Sequence, residues 1–501
     1  MELFAIGVHQ PLSTPAPALW GGRPNGQRVE LQRFDPAKRD RVFHRFMLRD
    51  KQTGRAIGRG RFVDDLDALT ADGSSEPWPE GIKGIQAPLI NQDMIELGVS
   101  HITDNISIAT LINGVAGPDH DPEFTYTVDG VAYAFRPDQV RQKDKLYKFM
   151  HDHGINVLSI ILCYISETRN PNSPLYREDG KPVELELAHP GARPDEMVQN
   201  LTAVNLSTEE GQRQYRAVMG FLAQRYSRPD NRYGRLGGHI ISNEVNSHWV
   251  WHHMGEVEPL AVIRQYAEQL RLSYYAIRQH DPDPQVFISM DHYWTHKHGA
   301  SRKRYMPGRE FLDRFAAEMA ATGDLPWHVA QHPYPENLFD PAFWDDETAW
   351  SSYDSPRITY NNVEVLVGYM QRPQLLYEGE QRTLILSEQG FHAGKTEESE
   401  RVQAAAYALA HYKLSNLPGV RAHVLHRHTD HPDEGGLLLG VRACDPQGRP
   451  THKRLMFDVF AAADTDRQEE VFRFALPIIG IDSWEQAMPS TGPFPSQRAA
   501  R

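Results

Sequence analysis

From about residue 80 onward the chain repeats one pattern eight times: a short apolar run followed by a stretch of helical period. The apolar runs fall near 82–86, 99–108, 155–163, 238–243, 286–291, 328–332, 383–387 and 420–426. Between them, Val140, Leu146, Tyr147, Phe149 and Met150 lie mostly on one helical face, and Gly154 stands where a C-terminal cap belongs. Ser207 and Glu210 read as a capping box ahead of Tyr215, Val218, Met219 and Leu222. Residues 259–280, 308–322 and 397–417 also read as helices. Strands separated by helices pair in parallel, and eight such units predict an α/β fold of the (β/α)8 TIM-barrel type. The first strand carries the weakest apolar signal. A doubly wound open sheet is the rival, but it gives no reason to set eight units around one site.

Residues 1–78 differ. Short alternating stretches such as Val42-Phe43-His44-Arg45-Phe46-Met47-Leu48 are separated by Gly, Pro and Asp turns, with no long helix. This reads as a β-rich accessory domain ahead of a barrel spanning 79–501, with Asp72-Gly73-Ser74-Ser75-Glu76-Pro77 as the linker. The formal net charge of -13 argues against nucleic acid or an anionic membrane as partner. No run approaches a membrane helix in length. MELFAIGVHQ lacks a basic segment and a long apolar core, so the expectation is a cytoplasmic chain, or a secreted one whose leader is not in this sequence. Cys163 and Cys444, both beside apolar segments, read as buried thiols rather than a disulfide.

Two strands end in glutamate. Ile240-Ile241-Ser242-Asn243-Glu244 closes the fourth, and Leu384-Ile385-Leu386-Ser387-Glu388 closes the seventh. In a parallel barrel both tips project at the C-terminal face. Two carboxylates there are what glycoside hydrolysis requires: one proton donor to the leaving oxygen, one nucleophile or base at the sugar carbon. The sixth strand ends in Gln331-His332-Pro333-Tyr334. Long segments follow the second, third and sixth strands, including a hairpin on Asp129-Gly130 and the stretches 164–206 and 333–362. They are expected to wall the cleft.

These three motifs, at the fourth, sixth and seventh strands, make residues 80–480 resemble the clan A (β/α)8 retaining glycoside hydrolases. The chain also resembles a bacterial family of barrel proteins long catalogued without a function. The resemblance implies Glu388 as nucleophile, Glu244 as acid/base, Asn243 as a hydrogen-bond partner of the sugar 2-hydroxyl, and Tyr334, beside His332, as the residue that orients Glu388. Two departures stand out. Where many members carry a tryptophan at the eighth strand, this chain has His426-Arg427-His428-Thr429-Asp430, and near the second strand it has Asp104-Asn105 in place of an arginine.

Aromatic rings stack on sugar C–H faces while leaving hydroxyls free, and they also fill ordinary cores. Trp249 and Trp251 follow Glu244 closely, and Met290-Asp291-His292-Tyr293-Trp294 ends the fifth strand. Trp249, Trp294 and His292 are therefore substrate-binding candidates, as are Asn105 and the pair His426 and His428, which alternation places on one face. His252-His253, His296-Lys297-His298 and His426-Arg427-His428 lack the spacing of a zinc hydrolase. No metal ligand and no cofactor are assigned. The reading is a retaining hydrolase of a β-linked oligosaccharide or polysaccharide. The alternatives are a metal-dependent hydrolase on the same barrel and a catalytically silent carbohydrate-binding barrel. Oligomeric state and the identity of the sugar stay open.

Overall fold

The computed structural model describes residues 1–22, 30–64, 66, 69, 71–165, 180–490, 494 and 495. Eight strands form a closed parallel barrel: β1 (Lys83–Gln86), β2 (His101–Ser107), β3 (Asn156–Leu162), β4 (Gly238–Ile241), β5 (Val286–Met290), β6 (Trp327–Gln331), β7 (Leu384–Gln389) and β8 (Val420–Leu425). Each pairs with the next, and β8 pairs with β1, so no edge is left open. The weak first strand is real: its four residues are all buried.

Helices follow the strands in turn: α1 (Asn91–Glu96), α2 (Pro137–Asp152), α3 (Glu209–Tyr226), α4 (Pro259–Arg278), α5 (Gly308–Thr322), α6 (Val363–Met370), α7 (Glu397–Ser415) and α8 (Leu455–Ala462). Strand alternation divides the core. Leu158, Ile160, Ile240, Phe287, Ala330, Ile385, Ala422 and Val424 fill the barrel interior, while Val157, Ile161, Ile241, Ile288, Val329 and Leu386 belong to the layer beneath the helices. The expected capping box of α3 is absent. Thr208 is the N-cap, accepting from Gly211 N–H, and Ser207 donates to Asn205 instead. A true capping box opens α7, between Thr396 and Ser399.

The N-terminal segment forms a four-stranded antiparallel sheet from Glu2–Gly7, Trp20–Gly21, His44–Arg49 and Ala56–Arg61. It packs on the outside of the barrel helices. Arg216 of α3 lies 3.7 Å from the Phe43 ring centroid, and Phe43 meets Tyr275 of α4 edge-on. The hairpin after β2 forms as read, Thr125–Val128 against Val131–Phe135 with both Asp129 and Gly130 at positive φ. It does not wall the mouth. It lies along α3, where Gly220 leaves room for the Tyr126 ring, which a Cβ would meet at 2.5 Å. The Tyr126 hydroxyl reaches His280 Nε2 (2.8 Å), beyond the C-terminal end of α4. Of the stretch after β3, residues 166–179 lie outside the described residues. Its return does cross the mouth, with Leu201 packed on the interior cluster. Both cysteines are free, Cys163 buried and Cys444 partly so. Among the described residues no helix is long and apolar enough to cross a membrane.

Candidate active site

The C-terminal tip of β4 is built under strain. After Ile241 the chain enters the left-handed region twice in three residues, at Ser242 (φ 65°) and Glu244 (φ 37°, ψ 51°). Neither is glycine, so neighbours must hold both conformations. The Ser242 hydroxyl bonds His252 Nδ1 (2.7 Å), whose Nε2 donates to Gln265 Oε1 (3.0 Å). The Glu244 N–H donates to Ser289 Oγ on β5 (2.9 Å), and the Glu244 carbonyl accepts from Ser247 N–H (2.8 Å). Asn246 then locks the turn to the tip of β5, its Nδ2 donating to Asp291 Oδ1 (2.5 Å) and its Oδ1 accepting from the Asp291 N–H (3.0 Å).

Glu388 is presented differently. Along β7 and β8, Leu386 pairs with His423 but Gln389 pairs with Leu425, so β7 carries one extra residue there. Such a bulge re-aims side chains. Ser387 and Glu388 are consecutive, yet both reach the mouth: Ser387 Oγ lies 3.0 Å from His332 Nε2, and Glu388 Oε1 accepts from the Tyr334 hydroxyl (3.2 Å).

His332 and Tyr334 join the two tips. His332 Nδ1 donates to Glu244 Oε1 (2.8 Å), so one imidazole spans β4 and β7. Burial works against its charge, but Glu388, Glu244 and Asp291 raise its pKa above the usual histidine value. Tyr334 is held well above the ordinary phenol range by burial and by Glu388, Glu244 and Glu434, so it stays a donor to Glu388. His292 Nδ1 donates to the Tyr334 carbonyl (3.0 Å) and, pushed down to about 4 mainly by burial, is neutral. His292 thus positions the loop that carries Tyr334. Asn243 is buried beside Glu244 and makes no side-chain hydrogen bond among the described residues.

Several candidates lie elsewhere. Trp294 is 1% exposed; its indole N–H donates to the Tyr353 carbonyl (2.9 Å) and its ring meets Tyr369 edge-on, so it is a packing residue and no sugar platform. Trp249 is likewise spent, beneath the Arg304 guanidinium (3.8 Å) and against His253. Its neighbour Trp251 instead packs on the barrel-interior cluster together with Tyr164 and Leu201. His428 is fully buried, accepting from Leu89 N–H (3.1 Å) and donating to Asp93 (2.8 Å), so it ties β8 to α1. Strand alternation fails to pair it with His426 because β8 ends at Leu425. His426 does reach the mouth. It contacts Gln86 Oε1 at the tip of β1 (2.5 Å), and Gln86 Nε2 donates to the exposed Asn105 of β2 (3.4 Å). Asp104 turns outward to Lys143 and Tyr147.

Five side chains join this site without having been singled out. Asp291 directly follows β5 and is buried; burial and the Glu244 charge push it up to about 7. Ser387 and Gln86 are strand-tip residues, a position that could have flagged them. Tyr164, raised by burial and then by Glu388, depends on the course of the loop after β3. Glu434, in the loop after β8, bonds Arg427 (2.8 Å) and His426 (3.3 Å), and these two neighbours overcome burial and hold its carboxyl down to about 2. Among the described residues no three His, Cys, Asp or Glu side chains converge as a metal site.

A family profile described as a family of unknown function, DUF5722, matches residues 75–487. Comparison with curated proteins by sequence found no match. Similar solved structures include a family 39 glycoside hydrolase from the gut symbiont Bacteroides cellulosilyticus, 14% identical, with 85% of this chain and 70% of that one covered and a TM-score of 0.47. A β-glucosidase from Pyrococcus furiosus is 15% identical over 78% of this chain and 87% of its own, with a TM-score of 0.46. The β-glycosidase BGL167 is 12% identical over 84% and 100%, with a TM-score of 0.45. At these identities the likeness is one of fold.

Proposed function

The chain belongs to the family of unknown function DUF5722, and we propose that it is a glycoside hydrolase that cleaves a β-linked glycan with retention. Glu388 is the nucleophile and Glu244 the acid/base. The observation that carries this reading is the His332–Tyr334 pair: one residue bonds Glu244, the other bonds Glu388, and the two carboxyls therefore address one space over the barrel. A binding barrel has no need of two glutamates held in strained and bulged backbone.

The division of labour follows from the surroundings. Glu388 receives a phenolic hydrogen bond, which aims it at the anomeric carbon and stabilises the carboxylate charge that re-forms when it departs from the sugar. Glu244 donates its proton to the leaving oxygen and then draws one from the water that frees the sugar. Asn243, buried and unengaged, is suited to a sugar hydroxyl. His426, Gln86 and Asn105 offer a further polar edge, and Trp251 offers the ring that Trp249 and Trp294 do not. Retention requires carboxyls about 5–5.5 Å apart.

The test uses a panel of aryl β-glycosides and two variants. Glu388→Ala should lose roughly 10⁴-fold or more in kcat on every substrate hydrolysed by the wild type. Glu244→Ala should keep turnover on substrates with very good leaving groups, and azide should accelerate it by taking the place of base-assisted water. Full activity in Glu388→Ala, or abolition by chelators with both glutamates dispensable, overturns the reading.

A further inference from the structure

We propose that the groove between Trp344 and Trp350, in the long loop after β6, is a second glycan-binding site, which holds a neutral polymer beside the mouth without cleaving it. The choice of a glycan as ligand rests on the glycosidase reading above, and binding is read without hydrolysis.

The groove encloses about 690 Å³, within the range of about 300–1,000 Å³ usual for small-molecule sites. Its two indoles are half-buried, so part of each ring stays open to solvent. Both are held in place. The Trp350 indole N–H donates to the Glu347 carbonyl (2.8 Å), its backbone N–H donates to Ser355 Oγ (2.8 Å), and its carbonyl accepts from Asn362 Nδ2 (2.9 Å). Trp344 is braced edge-on by Phe343, ring centroids 5.7 Å apart. Pro495 completes the lining, its carbonyl accepting from the Tyr353 N–H (3.0 Å) and the Ser352 hydroxyl (2.9 Å). Rings fixed in advance need little ordering when a ligand arrives.

Polar groups without partners surround these rings. The Trp344 indole N–H, the Ser351 hydroxyl, the Asn361 amide and the carboxylates of Asp345 and Glu347 make no side-chain hydrogen bond or ion pair among the described residues. A sugar offers the complement: C–H faces that stack on rings, and hydroxyls that both donate and accept. The lining carries three carboxylates, Asp346 being the third, and no lysine, arginine or histidine among the described residues. It therefore repels phosphate, sulfate or a uronate, and the glycan is uncharged. A small quaternary ammonium also suits indoles, but it needs an enclosing cage. Here Asp345, Glu347 and Ser351 are exposed and leave the groove open to solvent.

The groove stands beside the mouth and outside it. Asp346 Oδ1 accepts from Glu336 N–H (3.1 Å), and Thr348 N–H donates to Glu336 Oε2 (2.8 Å). Glu336 is the second residue after Tyr334, so the groove is strapped to the segment that carries the partner of Glu388. No lining residue bonds Glu244 or Glu388 among the described residues. A polymer held at this point raises the effective concentration of its own chain at the mouth.

The test uses native gels containing mixed-linkage β-glucan, xylan, glucomannan or galactan, with Glu388→Gln as the parent protein so that the polymer survives. At least one gel should retard the parent. Adding Trp344→Ala should raise the apparent Kd for that polymer roughly tenfold, while Trp344→Phe, which keeps a ring, should stay within about threefold. Asn361→Ala removes an amide that holds nothing in the fold and should weaken retardation about threefold, which decides the matter if Trp344→Ala does not fold. In otherwise wild-type protein neither Trp344→Phe nor Asn361→Ala should change kcat/KM on an aryl β-glycoside. Retardation of the parent by none of the gels, or equal retardation of the parent, Trp344→Ala and Asn361→Ala, overturns the proposal. So does choline quenching a Trp344-dependent fluorescence that no glycan alters. Loss of the glycosidase reading would show separately, as Trp344-dependent retardation of a wild-type protein that hydrolyses none of the polymers.

Discussion

His328, half-buried near the start of β6, and His332, fully buried just past its end, lie four residues apart, yet they behave in opposite ways. Burial, helped by Arg382, pushes His328 down to about 3, whereas His332 is raised because three carboxylates face it. The same contrast runs around the barrel. At the base, burial holds His101 and His239 down to about 4, and Trp78 closes the interior, stacked on Phe287 with its N–H donating to the Gly237 carbonyl (2.9 Å). At the mouth stand Glu244, Asp291, Glu388 and Glu434. The base spends its histidines neutral, as packing; at the mouth His292 is neutral too, but His332 is raised between carboxylates and Asp291 is pushed up to about 7. Desolvation is common to both ends, and the difference lies in which charges the strand tips bring together.

The comparison breaks most readily at Trp78. Trp78→Ala should cost about 3 kcal/mol of stability, from lost burial and a cavity at the barrel floor. The kcat on a good substrate should stay within twofold, because Trp78 packs on Phe287 and His101 at the opposite end of the barrel. Chemical denaturation and steady-state kinetics on the same preparation read both, and a tenfold fall in kcat would show that the two ends are not separable.

A smaller effect sharpens it. For histidines held below their unfolded value, the unfolded chain binds protons that the native state refuses. Stability is therefore complete above about pH 6.5 and is lost as pH falls toward the folded values of about 3 to 4. His328→Gln, whose side-chain oxygen can still accept from Thr383 N–H, should flatten that decline by up to about 1.4 kcal/mol per pH unit. Unfolding midpoints from pH 7 to 4.5 check this; an equally steep decline in the variant would remove His328 from the account.

The barrel was legible because its signal is repeated: eight apolar runs, each with bounds within two residues of a strand in the structure. The meeting of Glu244 and Glu388 at the mouth was legible because a strand tip has few places to point. What failed was whatever depended on loop course. Trp249 and Trp251 are two residues apart and chemically identical, and only the turn of the helix after Glu244 decides which faces the barrel. His428 was misplaced because alternation was carried beyond the end of its strand. Asp291 was in view within its segment, but nothing local distinguishes a strand-tip aspartate bonded to Asn246 from one bonded to water. The hairpin after β2 was correct in register and wrong in destination, since its Asp-Gly turn fixes the pairing and says nothing about which way the loop leans.

The central claim is that Glu388 attacks the sugar. Activated 2-deoxy-2-fluoro β-glycosides, offered as a panel of sugars, slow the release of a glycosyl-enzyme more than its formation and so trap the nucleophile. Peptide mass mapping of the inactivated protein should find one sugar, on Glu388, and Glu388→Gln should take up none. A label on Glu244, Asp291 or Glu434, or steady turnover of the natural glycan with inverted product and no label on any residue, would contradict the account.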